Sequence, residues 1–149
     1  MSSISEQFKL NYMPGATENE YFERALEQTK ELVYLLDMLK KIGLEESGIF
    51  YFLICTVRMG VMDDGVLSEQ EERMIRYVFD KLLPDLVEDI INEVQDGDLE
   101  ESYQRLSFLK VLGLDEMLQS AVNLALTFAL VDGEIEEDTA NAMLGLLAS

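Results

Sequence analysis

Two apolar runs, residues 48–62 ("GIFYFLICTVRMGVM") and 117–131 ("MLQSAVNLALTFALV"), each stop just before an Asp-Gly pair. Both fall short of the roughly 20 residues that a bilayer-spanning helix needs. They read as buried helices, and the rest of the chain must then supply the surfaces that cover them. Only two prolines occur, and most glycines fall between periodic segments. The spacing of apolar residues at three and four then makes the fold all-α, a compact single-domain bundle of about seven helices.

The first helix starts after Thr17, with Glu20 completing a capping box. Its apolar positions run from Phe22 through Leu39, and Gly43 ends it. The second covers about Glu46 to Met62 and is apolar almost all round. The third begins after Ser68, with Glu71 as the second half of another capping box. Its stripe is Met74, Ile75, Val78, Phe79 and Leu82, and Glu72 can pair with Arg76 one turn on. Pro84 suits the first turn of a fourth helix, which buries Leu86, Val87, Ile90, Ile91 and Val94 and ends near Gly97. A fifth runs from about Glu100 to Leu112, with Gly113 closing it. A sixth spans Asp115 to Val131, and a seventh carries Ala140, Met143, Leu144 and Leu147. Residues 1–16 form an arm ahead of a domain at 17–149. Phe8, Leu10 and Tyr12 alternate in it, and Pro14-Gly15 punctuates its end. The arm either lies across the domain or reaches a neighbour; the second alternative would make a homodimer.

Charge and composition narrow the function classes. Thirty acids against eleven bases leave a net charge of −19, while 48% of residues are hydrophobic, which rules out a disordered acidic tail. Such a surface repels a phosphate backbone, so nucleic acid is not expected as a partner, and anionic membranes are disfavoured too. Basic protein surfaces and cations are the natural partners. There is no histidine, which removes the usual general base and the commonest zinc ligand. The one cysteine, Cys55, sits inside an apolar run and reads as a buried, inert thiol that only Arg58 could activate. The opening "MSSISEQFKL" has no signal-peptide pattern, and the expectation is a reduced, cytoplasmic setting.

The acidic stretch "MDDGVLSEQEE" has a counterpart in "LVDGEIEED". Asp64-Gly65-Val66-Leu67 matches Asp132-Gly133-Glu134-Ile135, and each follows an apolar helix and precedes an amphipathic one. The pattern is an internally duplicated helix–Asp-Gly turn–helix unit. Glycine supplies a left-handed residue, Leu67 or Ile135 tucks under the hairpin, and the aspartate accepts N–H groups of its own loop. An EF-hand fails by position. With Gly65 sixth in the loop, its first and third ligands would be Gly60 and Met62; around Gly133 they would be Phe128 and Leu130.

The two acidic hairpins in a chain of this size resemble the TerB-like family, which includes tellurite-resistance TerB proteins and the N-terminal domain of certain membrane-anchored DnaJ-type co-chaperones. The resemblance covers about residues 18 to 149. It implies a compact helical bundle with a pseudo-duplicated pair of hairpins. It also implies suspected metal positions at Asp64 and Glu71 in the first copy and Asp132 in the second. The family prefers Ala-Asp-Gly where this chain has Asp63-Asp64-Gly65 and Val131-Asp132-Gly133, and Thr139 stands where Glu71 has its match.

The first expectation for function is a non-enzymatic TerB-like interaction module of a bacterial stress-response system. The second is a hard-cation protein. Oxygen-only ligands suit Ca²⁺ or Mg²⁺, held asymmetrically at Asp63, Asp64 and Glu71, with Asp132 at a weaker second turn. A carboxylate-based hydrolase is the third and remotest reading. Paired acids can do acid–base work, but Glu45, Glu46, Glu88, Glu93, Glu100 and Glu101 read as solvated faces. The methionines at helical spacing read mostly as core.

Overall fold

A computed structural model describes residues 17–62, 65–131 and 137–147. Among them are seven α-helices and no strand. The helices are α1 (Glu18–Asp37), α2 (Glu46–Val61), α3 (Glu69–Leu82), α4 (Val87–Asp96), α5 (Leu99–Val111), α6 (Asp115–Leu130) and α7 (Glu137–Leu147). Two 3₁₀ segments are inserted: Met38–Ile42 after α1 and Pro84–Leu86 before α4.

Local chemistry sets the helix starts. Thr17 and Glu20 cap α1 reciprocally, and Ser68 and Glu71 do the same for α3. Asp98 accepts the Glu100 N–H at the start of α5. Left-handed glycines close three segments: Gly43 at φ 106°, Gly65 at φ 80° and Gly113 at φ 73°. At Gly65 the turn is tied by an N–H bond to the Met62 carbonyl at 3.1 Å, and Leu67 packs half-buried against the core.

Helices α2 and α6, the two apolar runs, form the centre. Each has buried residues on most faces, and α1 and α5 pack against them. Their backbones approach closely at Gly60, where a Cβ would overlap the Ala125 carbonyl. The amphipathic α3 buries Met74, Ile75, Val78 and Phe79 and lies along α1. There Arg73 holds Glu18 through two bonds of 2.9 Å, and the Tyr77 hydroxyl donates to Glu23. The Glu72–Arg76 pair forms at 3.7 Å, and Arg76 also reaches Glu88 at 2.5 Å.

One expectation changes in detail. Pro84 opens a separate 3₁₀ turn rather than α4 itself, and this turn carries Leu86 out of the core to 37% exposure. Gly97 ends α4 where the sequence places the end, with a φ of −84°. Met38 is 49% exposed, whereas Met59, Met74, Met117 and Met143 are buried. Ala140 and Met143 of α7 are buried as expected, while the side chain of Leu147 lies outside the described residues.

Candidate binding groove

The most unusual buried side chain is Arg58 of α2, only 2% exposed in an otherwise apolar setting. Its guanidinium donates to the Val94 carbonyl at 3.1 Å, the Glu93 carbonyl at 2.5 Å and Ser102 Oγ at 2.9 Å. Val94 and Glu93 lie in the last turn of α4; the Glu93 carbonyl also accepts the Gly97 N–H at 3.1 Å, and the dipole end favours a cation. Ser102 Oγ in turn donates to the Asp98 carbonyl at 3.2 Å. Arg58 thus ties α2 to the end of α4 and the start of α5. This explains Gly97: any Cβ there would overlap the guanidinium. Cys55, one turn before Arg58, is fully buried. Burial pushes its thiol up, while Ser102 and Arg58 pull it back only in part. The burial expected of this thiol is thus found.

With α4 held at this angle, a groove opens between α1, α2, α3 and the Pro84–Leu86 turn. Its volume is about 570 Å³, and its floor is Val33, Ile49, Phe50, Leu53, Phe79 and Leu83. A second hollow of about 570 Å³ continues from it across Ser47, Phe50 and Leu86 toward Asp89, Asn92 and Glu93 of α4. Each lies within the size range typical of ligand sites.

The two ends differ in charge. At the α1 end Lys40 bridges Asp37 at 2.9 Å and Glu46 at 3.2 Å, which together raise its pKa. Lys30 lies 3.6 Å from Glu27. At the α4 end, Asp89 and Glu93 are exposed and make no ion pair with a described cation. Outside the groove, Tyr34 and Met38 lie exposed on the outer face of α1 and its 3₁₀ extension, and Phe108, Val111 and Leu112 at the end of α5.

Only part of the two acidic turns lies within the described residues. Glu71 is 5% exposed, and its Oε1 accepts the Ser68 N–H at 2.9 Å, so this carboxylate is engaged in capping α3. Asp63, Asp64 and Asp132 lie outside the described residues, as do Gly133 and Glu134. Among the described residues no group of three or more acidic or cysteine side chains is arranged to hold a metal ion. Thr139, the position matched to Glu71 when the two acidic motifs are aligned in sequence, is buried. Glu45, Glu46, Glu88, Glu93, Glu100 and Glu101 are all exposed, as their pattern indicates.

Sequence reading did not find the groove. Its residues come from four elements, and nothing local marks Val33, Phe50 or Leu83 as lining rather than core. The one visible signal was Arg58, a charge inside an apolar run whose partners lie 35 to 44 positions away. None of the described helices is long and apolar enough to cross a membrane. Comparison with family models, curated proteins and solved structures finds no match to this chain.

Proposed function

We propose that the chain is a non-enzymatic helical interaction module, of TerB-like type, whose working surface is the groove over Phe50 and Leu86. The observation that carries this reading is the groove itself: a largely apolar lining of Val33, Ile49, Phe50, Leu53, Phe79 and Leu83 with a few charged residues beside it. The duplicated hairpin, the role in a stress-response assembly and a cytoplasmic setting belong to the same proposal. They rest on the paired motifs "MDDGVLSEQEE" and "LVDGEIEED".

The cation reading stays as the second proposal. Its support is the density of acids from Asp63 to Glu72, and the capping role of Glu71 weighs against it. A Ca²⁺ or Mg²⁺ site would draw on Asp63, Asp64 and water, since such ions take six or more oxygens.

Oxidative footprinting tests the groove reading. Phe50 and Tyr51 are labelled in the purified protein and in intact cells, with exposed Phe108 as reference. Lower labelling of Phe50 and Tyr51 in cells, with Phe108 unchanged, is the expected result. Equal labelling in both settings overturns the reading.

A further inference from the structure

The polarity of the groove defines its occupant. The four charged residues lining the α1 end, Lys30, Lys40, Asp37 and Glu46, sum to zero, and Lys40 pairs with both acids. The middle is apolar, with Leu86 and Phe50 shared by both hollows. At the α4 end, the carboxylates of Asp89 and Glu93 and the amide of Asn92 have no described cation to meet them. The chain as a whole carries −19, so the long-range field reinforces this local one.

We infer that the groove binds an amphipathic helical segment of a partner protein, with its apolar face on Phe50 and Leu86 and a basic end against Asp89 and Glu93. This inference rests on the groove reading above and adds the chemistry of the partner. A helix laid in an apolar groove is a recurring recognition mode, with anchors at i, i+3, i+4 and i+7. Two such turns need about 11 Å, and a peptide of about 14 residues reaches about 21 Å as a helix. The basic end sets orientation and speeds encounter, while the apolar anchors set the dissociation rate.

The test uses the full chain and four synthetic peptides. One is a helical Leu/Lys peptide with Leu at the anchor positions and Lys clustered at one end. The second has Glu in place of Lys. The third has the composition of the first in an order without helical periodicity. The fourth carries residues 1–16 of this chain. Binding is followed by calorimetry on the parent and on three variants. Ser47→Arg places bulk where the two hollows meet, at an exposed position. Glu93→Lys reverses one lip charge. Glu31→Lys makes the same charge change at an exposed position of α1 outside the groove lining. Thermal midpoints of all three show that the fold is kept.

The first peptide binds saturably, and Ser47→Arg and Glu93→Lys each weaken it about tenfold, while Glu31→Lys stays within about twofold. The Glu peptide and the non-periodic peptide do not saturate. Equal binding of the non-periodic peptide, or equal loss in Glu31→Lys, overturns the inference in favour of unspecific charge attraction. Saturable binding of the 1–16 peptide, to the exclusion of the first, makes the chain's own arm the occupant. Sedimentation that shows self-association abolished by Ser47→Arg makes it a second copy. Failure of the first peptide together with groove protection in cells overturns only the partner chemistry; failure of both removes the groove reading as well.

Discussion

Arg58 is costly to place where it is. A guanidinium removed from water must recover its hydration from the protein, and here two helix-end carbonyls and a serine hydroxyl do so. Arg58→Met keeps much of the volume but removes the donor to the Val94 carbonyl and one of the two donors to the Glu93 carbonyl, so a loss of about 3 kcal/mol is expected in denaturant melts. Gly97→Ala is predicted to cost about 1–3 kcal/mol through overlap with the guanidinium, since a φ of −84° suits alanine well. The two changes share one volume. Gly97→Ala should therefore cost far less in the Arg58→Met background, and additive losses would show that the overlap is not the cause.

Surface carboxylates give a second residue-scale prediction. Arg73 beside Glu18, and Arg76 beside Glu88, hold these carboxyls below the ordinary glutamate range, mainly through direct hydrogen bonds. A depressed folded pKa means that each pair's contribution is present above the unfolded value and is lost as pH falls through the folded one. Carboxyl NMR titration should place Glu18 and Glu88 below the ordinary glutamate midpoint. Arg73→Ala should return Glu18 toward it, and an unchanged midpoint would mean that the pair does not form in solution. Both partners are well exposed, so the effect on stability is small.

At the scale of the element, helix starts were legible because their causes are local. Thr17 with Glu20, and Ser68 with Glu71, lie three residues apart, and both capping boxes form. The left-handed turn at Gly65 was legible for the same reason. The switch to 3₁₀ at Met38 and again at Pro84 was not, because it depends on how each helix end meets its neighbours. That second switch is what turns Leu86 from a core residue into a groove lip. Gly65 and Gly97 contrast in kind: one is required for its dihedral angle and the other for its space. Gly65→Val should cost on the order of 1–2 kcal/mol from the left-handed backbone alone, since nothing lies within 4 Å of a Cβ there. Gly65→Asn should recover much of that, because asparagine tolerates the region. Ser68→Ala should lower stability by about 1 kcal/mol through loss of the α3 cap. If Gly65→Val melts like the parent, the turn is not left-handed in solution.

The whole molecule carries two properties that pull apart. Its centre, α2 against α6, is a continuous apolar contact that composition and periodicity reveal. The chain carries thirty acids against eleven bases, and their mutual repulsion opposes compaction. Added salt should raise the melting midpoint, and choline chloride should match sodium chloride at equal ionic strength, because screening rather than a bound ion is the cause. A rise with sodium alone would instead mark a specific cation. The groove also belongs to this scale: it exists only once four elements are in place, which is why no stretch of sequence announces it.

The most direct measurement is site-specific photo-crosslinking in intact cells, with the reactive residue at Ser47, where the two hollows meet, and for comparison at Glu31 on α1 and Glu69 beside the acidic turn. The groove account predicts a discrete protein adduct from Ser47 that is lost when Glu93→Lys is added, with only background at Glu31 and Glu69. Adducts of equal strength at all three positions, or an adduct at Glu69 alone, would contradict it.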